Sequence, residues 1–271
     1  MTMTLNQAWK AQLHDVYHRG NLVQPRGMPT RELLHKTLHF DMNHPVITIP
    51  GRKLGYKFMA AEAWWILSGR NDVASIAPYS QAISQFSDDG ETFFGSYGVP
   101  FVDQLPYVVQ ALRNDPDTRQ ATLTFWRQSP PATKDVPCTI AIDFKLRGNM
   151  LFAQVFMRSS DNWLGVPYDA FNFTMMACRV LEELNLQREV GRRYILGDCY
   201  LTAASSHLYG RDYDKAMEVM LGGLPQHEAR PVPLFLYGVR DGSVYQDGLI
   251  AYLEQLKDAA ADSDLRWWQH R

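Results

Sequence analysis

The chain has 271 residues, 46% of them hydrophobic, and a formal net charge of −2 at pH 7. This size allows a large buried core, and the near-neutral charge excludes the broad basic field that bulk nucleic-acid binding requires. The three cysteines show neither CxxC spacing nor a metal-ligand grouping, so a reducing cytoplasm fits better than a disulfide framework, and no metal site is expected.

The N-terminal sequence and the uniform composition bear on location and domain count. Residues 1–15 are polar and contain no apolar signal core, and no run approaches the roughly 20 apolar residues of a membrane span. We therefore expect a soluble, cytoplasmic protein. Because no linker, repeat or low-complexity run interrupts the chain, we expect one domain over residues 1–271.

The first part of the chain predicts a helix, a loop and two short strands. The helix spans residues 5–18. The loop that follows carries Arg26, which belongs either to a solvated turn or to an anion-binding group. Strands are predicted over residues 33–40 and 46–49, with a proline-containing turn between them.

A second helix, predicted over residues 57–67, is apolar on nearly all sides and should be buried. Glu62 lies inside it. A buried carboxylate is unfavourable unless it is paired, and burial raises its pKa. Glu62 is therefore a candidate for moving protons near neutral pH. A structural ion pair with a distant Arg or Lys is the alternative.

The middle of the chain leads to a cysteine that follows a proline. Short helices, an aromatic loop, a longer helix and a strand are predicted over residues 71–87, 93–98, 102–113 and 121–126. Cys138 then begins a strand directly after the proline, so its thiol is placed to stand at the mouth of a cavity. An inert, small hydrophobic side chain is the alternative.

A polar stretch joins two predicted strands to a helix. The strands cover residues 139–146 and 150–157, and the helix covers residues 168–184. The stretch between them is Arg158-Ser159-Ser160-Asp161-Asn162-Trp163-Leu164-Gly165-Val166-Pro167-Tyr168-Asp169. It offers anion-binding side chains, backbone donors at a helix N-terminus and a carboxylate in one small volume. This combination predicts a site for a phosphorylated small molecule.

The last part of the chain predicts further strands and helices. A strand covers residues 194–203, with residues 205–209 following its end, and an edge strand with two prolines covers residues 231–235. Helices cover residues 213–221 and 248–256. Without a regular strand-helix alternation or a Gly-rich phosphate loop, the pattern predicts an α+β fold with a mixed sheet. Dinucleotide-binding and P-loop folds have no support.

Several of these stretches, taken in order, resemble the signature of the thymidylate synthase superfamily. They are residues 62–69, Tyr97-Gly98, residues 114–119, Pro137-Cys138, residues 158–168 and His207-Leu208-Tyr209. Any one is a weak match, but their order and spacing are specific, and the matches span roughly residues 22–222. The resemblance implies helices packed on a mixed sheet and a homodimer that associates through that sheet.

Two departures from the family pattern point to one of its branches. Asp169 stands where thymidylate synthases usually have Asn, and Thr139 where they have His, and both changes resemble deoxycytidylate hydroxymethylases. A carboxyl group can accept from the N4 amino group of cytosine and share or donate a proton at N3, whereas an Asn amide suits uracil. Asp169 therefore predicts selection of cytosine. A carboxylate that caps the helix N-terminus is the alternative.

The resemblance also implies a role for each matching residue. The catalytic positions are Cys138, which adds to C6 of the pyrimidine, Glu62, which orients water and relays protons, and Asp169. The positions that hold the nucleotide are Arg26, Arg158, Ser159, Tyr97, His207, Tyr209 and, donated by a second subunit, Arg119. The positions that face the cofactor are Asp161, Leu164, Gly165, Trp65, Tyr79 and Phe86.

The implied reaction transfers a one-carbon unit from 5,10-methylenetetrahydrofolate to C5 of dCMP or CMP, with dCMP favoured. Addition of water then gives the 5-hydroxymethyl nucleotide and tetrahydrofolate. The alternatives are a methylase that produces 5-methyl-dCMP and dihydrofolate, an enzyme that acts on dUMP, and a non-catalytic nucleotide-binding or RNA-binding relative. Gln120, at the family's second arginine position, and residues 263–271, which do not match its closing tail, depart from the pattern.

Overall fold

The computed structural model of the protein describes residues 3–186, 188–226, 228, 230–233 and 248–258. Within these residues the strands form one mixed sheet and the helices pack against it. The fold is therefore α+β, as the sequence predicts.

The strands are β1 (Asn21–Val23), β2 (Thr30–Asp41), β3 (Thr122–Thr124), β4 (Thr139–Arg147), β5 (Met150–Met157), β6 (Ser160–Asp161) and β7 (Ile195–Tyr209). The α-helices are α1 (Leu5–Arg19), α2 (Tyr56–Leu67), α3 (Val73–Ile76), α4 (Gly98–Asn114), α5 (Val166–Asn185), α6 (Tyr213–Leu221) and α7 (Gly248–Asp258). Short 3₁₀ turns cover Pro25–Gly27, Gln81–Phe86, Val190–Arg192 and Gly210–Asp212. None of the described helices is long and apolar enough to span a membrane.

Three strand pairings determine the mixed character of the sheet. The long strands β2 and β7 are antiparallel, from Thr30 opposite Tyr209 to Asp41 opposite Asp198. The strands β4 and β5 form an antiparallel hairpin whose turn includes Gly148, and the φ of 61° at this residue suits a glycine. In contrast, β5 pairs with β7 in parallel. The sheet order is β1-β2-β7-β5-β4-β3, and β6 also pairs with β7.

Helix α5 is the buried centre of the helical layer. Its 20 residues include 15 buried ones, among them Phe171 and Phe173, which have no exposed surface. It packs against β5 and β7 on the sheet and against α2, which is itself apolar on most sides. Because close packing holds both helices in place, the few polar side chains that they carry are also held in defined positions.

Two of the predicted strands differ from those in the structure. Residues 46–49 form no strand, although Val46 and Ile47 are buried in the core. The backbone N–H of Thr48 donates instead to the side-chain Oδ1 of Asn6 on α1, at 2.9 Å. The strand predicted to end at residue 203 continues through Tyr209, because β2 pairs with it along this length. His207 therefore lies within a strand, not after one.

Two further predictions fall at the limits of the described residues. The proposed edge strand over residues 231–235 is not formed by residues 231–233, and the other two residues lie outside the described part. The C-terminal tail over residues 263–271 also lies outside the described residues. The helix predicted over residues 248–256 is confirmed as α7.

Candidate active site

A cleft opens between α2, α5 and the loops that lead into α4 and β4. It encloses about 680 Å³, counting the space that is open to solvent. The residues singled out from the sequence that line it are Glu62, Trp65, Phe86, Tyr97, Cys138 and Asp169. The three predicted catalytic residues thus face one space, although they come from three distant segments of the chain.

Strand pairing places Cys138 beside Arg158. Cys138 precedes β4 and Arg158 follows β5, and because the two strands are antiparallel, these two residues meet at the same end of the hairpin. The Arg158 backbone N–H donates to the Cys138 carbonyl at 2.9 Å. The Arg158 guanidinium donates to the carbonyl oxygens of Pro137 (3.0 Å) and Val136 (2.8 Å), and its Nη2 lies 3.7 Å from Cys138 Sγ. The positive charge is therefore fixed next to the sulfur.

The charges around Cys138 act in opposite directions on its thiol. Burial raises the pKa of the thiol, and the nearby carboxyl groups of Asp169 and Asp135 raise it further. The guanidinium of Arg158, and more weakly that of Arg26, lowers it. Ionisation of the thiol in this cleft therefore depends on cationic groups, and a bound anion or a displaced arginine would alter it.

Tyr97 lines the cleft together with Cys138 and Asp169. Its phenolic oxygen accepts a hydrogen bond from the backbone N–H of Thr139 at 3.2 Å, and its ring packs against Phe125 with 4.8 Å between centroids. Burial, together with the negative charges of Asp169 and Cys138, raises the pKa of Tyr97 well above its usual value. The hydroxyl therefore remains protonated and can donate into the cleft.

Asp169 projects into the cleft from the first turn of α5. The turn is closed by the Asp169 backbone N–H, which donates to the Gly165 carbonyl at 2.9 Å. Burial first, and then the negative charges of Glu62 and Asp161, raise the pKa of the Asp169 carboxyl well above its ordinary value of 3.8. A carboxyl of raised pKa is more readily protonated, and when protonated it can donate through one oxygen and accept through the other.

Glu62 meets α5 through an amide that the sequence analysis did not single out. The Nδ2 of Asn172 donates to Glu62 Oε2 at 2.7 Å. Burial raises the pKa of Glu62 to about 7, and the hydrogen bond from Asn172 opposes this rise. The partner is thus a neutral amide and not the Arg or Lys of the alternative ion pair. Asn172 could have been found from its spacing, since it lies three residues after Asp169 on one helix face.

Asp135 also lines the cleft, and the sequence analysis did not single it out. Its Oδ2 accepts the backbone N–H of Gly95 at 2.7 Å, and burial raises the pKa of its carboxyl. A side chain at residue 95 would meet the Asp135 carbonyl oxygen at 2.5 Å, so the close approach requires glycine there. No local pattern marks Asp135 in the sequence, because only the folded loop brings it to the cleft.

Asp161, Leu164 and Gly165, predicted to face a cofactor, form the turn that begins α5. Asp161 Oδ1 accepts the backbone N–H groups of Trp163 (2.8 Å) and Leu164 (3.1 Å). A Cβ at Gly165 would lie 2.9 Å from the Asp161 carbonyl oxygen and 3.2 Å from the Asp169 carboxyl. This turn thus fixes the position of Asp169, while the Leu164 side chain is 47% exposed.

The residues predicted to hold the sugar and part of the phosphate cluster beside Arg158. Ser159 Oγ lies 3.5 Å from His207 Nδ1, and the His207 and Tyr209 rings meet edge to face with 4.9 Å between centroids. Strand β6 pairs with β7, with Asp161 opposite His207, and this pairing brings Ser159 close to His207. Burial lowers the pKa of His207, which favours the neutral imidazole.

Three further predicted site residues also lie outside the cleft lining, as do Arg158, Ser159, Asp161, Leu164, Gly165, His207 and Tyr209. Tyr79 was predicted to contact the cofactor. Its hydroxyl donates instead to Asp258 of α7 at 2.7 Å, and Tyr79 is not part of the cleft lining. Arg26 lies exposed in the 3₁₀ turn before β2, with a φ of 51°. Arg119 lies exposed in the loop between α4 and β3.

The cleft brings together three features. The Cys138 thiol lies beside the Arg158 guanidinium, the carboxyl groups of Glu62 and Asp169 have raised pKa values, and Trp65 and Phe86 form an apolar wall. Such a combination is that of an enzyme that attacks a small molecule through sulfur and moves protons at neutral pH.

Comparison with known proteins identifies the family. The family model described as thymidylate synthase matches residues 7–230, most of the chain, so the protein belongs to the thymidylate synthase family. It is also similar to a protein of Bacillus phage SP01 named deoxyuridylate hydroxymethyltransferase, with 30% identity over 224 residues. That match covers 74% of this chain and 56% of the relative, so the chain spans about half of the relative's length.

Proposed function

We propose that the protein transfers a one-carbon unit from 5,10-methylenetetrahydrofolate to C5 of a cytidine 5′-monophosphate, preferentially dCMP. Water then adds to give the 5-hydroxymethyl nucleotide and tetrahydrofolate. The observation that carries this proposal is the carboxyl of Asp169 in the same cleft as Cys138 and Glu62. The name of the SP01 relative supports the hydroxymethyl outcome.

Cys138 is the proposed nucleophile. Its thiolate adds to C6 of the pyrimidine, which makes C5 electron-rich and able to form a carbon–carbon bond. Arg158 favours the thiolate because its guanidinium lies 3.7 Å from the sulfur. Tyr97, whose hydroxyl remains protonated beside the thiol, can donate a hydrogen bond to the ring as negative charge develops.

Asp169 is the proposed reader of the base. Its carboxyl accepts from the N4 amino group of cytosine and shares a proton with N3, and the raised pKa supports the presence of that proton. A protonated carboxyl can also donate to O4 of uracil and accept from its N3–H. For this reason, and because the SP01 relative is named for deoxyuridylate, hydroxymethylation of dUMP is the second candidate function.

Glu62 is the proposed general base for the terminal water. Its pKa of about 7 means that a large fraction is ionised at neutral pH, while the carboxyl remains basic enough to take a proton. Its hydrogen bond to Asn172 fixes its orientation within the cleft. A proton taken from water at this position has a path back to solvent through the open side of the cleft.

The phosphate is proposed to bind beside Arg158 and Ser159, with Arg26 and, from a second subunit, Arg119. The electrostatic effect of Arg26 on Cys138 supports its approach to this side of the cleft. Arg119 is exposed in the chain, where it is free to reach a neighbouring subunit in the proposed homodimer. Gln120, which follows it, supplies no second charge.

The cleft residues fit the folate. Trp65, Ile66, Ile83, Phe86 and Phe93 form an apolar wall against which a planar aromatic ring can pack, and Trp65 and Phe93 meet edge to face with 5.8 Å between centroids. When bound, the folate would supply a carbon atom at the oxidation level of formaldehyde. The protein's contribution is to hold this group against the base and to exclude bulk water from one side.

A competition experiment tests the proposal. The purified protein receives dCMP, CMP and dUMP together with methylenetetrahydrofolate, and the products are analysed by mass spectrometry. We expect 5-hydroxymethyl-dCMP and tetrahydrofolate, and no product from the Cys138→Ala variant. A product lighter by one oxygen, formed with dihydrofolate, would indicate a methylase, and a product from dUMP alone would favour the second candidate. Nucleotide binding without turnover would indicate a non-catalytic relative.

A further inference from the structure

Asn172 has an unusual environment for a polar side chain. It is 4% exposed and lines the cleft, and its Nδ2 donates to Glu62 Oε2 at 2.7 Å. Its Oδ1 is buried and has no hydrogen-bond partner among the described residues. Buried acceptors of this kind are normally paired, because an unpaired one loses the hydrogen bond that it makes to water in the unfolded chain. The environment therefore indicates that a donor in the cleft completes it.

The position of Asn172 limits what this donor can be. It lies three residues after Asp169 on α5, so its side chain stands on the same face of the helix, one turn further from the N-terminus. Its other amide atom is bound to the carboxyl that acts on water in the proposed function. A donor that contacts Asn172 Oδ1 therefore lies next to Glu62.

We propose that Asn172 is the positioning residue for the terminal water of the reaction, which donates one hydrogen to Asn172 Oδ1 and the other to the Glu62 carboxylate. This inference rests on the proposed function and adds a residue that the sequence signature does not contain. With both hydrogens engaged, a lone pair of the water oxygen faces away from the two side chains and into the cleft.

The step that Asn172 supports is balanced without an oxidant or a reductant. The water oxygen forms a bond to the exocyclic methylene carbon on C5 of the nucleotide. The electron pair of that double bond moves to the C5–C6 bond, the C6–S bond breaks, and Cys138 leaves as a thiolate. The water proton passes to Glu62. Asn172 Nδ2 keeps donating to Glu62 Oε2, so the carboxylate remains turned toward the water.

The test uses Asn172→Leu, which keeps a similar side-chain volume but removes both the donor and the acceptor. Two measurements distinguish the addition of water from the earlier addition of Cys138 to C6. Without folate, addition of Cys138 to C6 allows the hydrogen on C5 to exchange with solvent, so loss of tritium from C5-labelled dCMP reports this first step alone. With folate, denaturing mass spectrometry detects any nucleotide that remains attached to Cys138.

For Asn172→Leu we expect tritium loss close to that of the unaltered protein, while hydroxymethyl product falls roughly 100-fold, as for loss of an acid–base contribution. A covalent adduct of protein and nucleotide that carries one extra carbon should accumulate, because water no longer reaches the methylene group in the right position. Asn172→Ser, whose hydroxyl can both donate and accept, should recover part of the product.

Asn185→Ala is the matched control. Asn185 is also a fully buried Asn of α5, and its amide exchanges hydrogen bonds with the backbone of Tyr194 (2.9 and 2.8 Å) at the other end of the helix. Its loss should lower thermal stability without changing the ratio of product formation to tritium loss. A shift of that ratio only in the Asn172 variants supports the proposal.

Three outcomes would overturn the inference. Tritium loss and product formation that fall together in Asn172→Leu would mean that Asn172 serves the structure of the site in general. Undiminished product would mean that Asn172 has no part in the step. A loss of affinity for dCMP but not for dUMP would mean that Oδ1 binds the N4 amino group of the base. Failure of the proposed function is distinct, since the unaltered protein would then form no hydroxymethyl product.

Discussion

The Nη2 atom of Arg158 lies 3.7 Å from the Sγ of Cys138, while the same guanidinium donates to the carbonyl oxygens of Pro137 and Val136. The backbone carbonyls hold the arginine in place before any ligand arrives. A fixed positive charge therefore opposes the effect of burial on the thiol. The effect of Arg158 on the Cys138 thiol can therefore be measured without any substrate.

Replacement of Arg158 by Leu should make the Cys138 thiol less reactive. The pKa of the thiol is raised by burial and lowered by Arg158, so removal of the guanidinium should raise it further and reduce the thiolate fraction at a given pH. Alkylation by iodoacetamide, followed by mass spectrometry from pH 7 to 10, should be slower by roughly tenfold for each unit of pKa change. Cys178 and Cys199 are fully buried and serve as internal controls. An unchanged alkylation profile would contradict the role given to Arg158.

Asp169→Asn should shift the base preference from cytosine to uracil. An amide donates to O4 and accepts from N3–H of uracil, and it leaves a mismatch with the N4 amino group of cytosine. The ratio of kcat/KM for dUMP to that for dCMP should rise by roughly tenfold to hundredfold. Asp135→Asn makes the same change in charge within the same cleft and should leave the ratio unaltered. Equal ratios in the two variants would show that Asp169 does not read the base.

Glu62→Gln should stabilise the protein at neutral and alkaline pH while it abolishes turnover. The pKa of Glu62 rises from an ordinary value of 4.5 to about 7 on folding, so the folded state binds the proton more tightly than the unfolded state. Stability therefore falls as pH rises through this interval, and the full loss is present above about pH 7. The glutamine variant, which cannot ionise, should avoid a cost on the order of 1–3 kcal/mol at pH 8.

Urea unfolding at pH 5 and pH 8 measures this effect. The difference in unfolding free energy between Glu62→Gln and the unaltered protein should be larger at pH 8. A difference that does not depend on pH would mean that Glu62 is not held with a raised pKa in the folded state.

Mixing two inactive variants should restore activity if Arg119 is donated across a homodimer. Arg119→Ala lacks the donated group, and Cys138→Ala lacks the nucleophile. In a mixed dimer one site contains both the intact Cys138 and the intact Arg119 of the other subunit. Random exchange of subunits should therefore give about a quarter of the normal number of sites. Size-exclusion chromatography checks for a dimer, and no recovery after exchange would place Arg119 outside the partner's site.

The sequence by itself predicts the helices, most strands and the α+β class, since these follow from local apolar periodicity and from turn residues. The hairpin of β4 and β5 around Gly148 is such a case. The ordered motifs indicate the family, which the comparison confirms. Local patterns failed where pairing is decided at a distance. The apolar residues 46–49 look like a strand but pack in the core beside α1, and β7 reaches Tyr209 only because β2 runs along it.

In the cleft, too, the sequence predicts some features and the tertiary structure alone decides others. The sequence supplies a thiol, an apolar helix with Glu62 and an acidic residue at the start of α5. Only the tertiary structure decides that Asn172 donates to Glu62, that Asp135 reaches the cleft and that Tyr79 contacts α7. The physical reason is that a pKa shift and a hydrogen bond depend on distance and burial, and the packing of α2 against α5 sets both for residues that lie far apart in the chain.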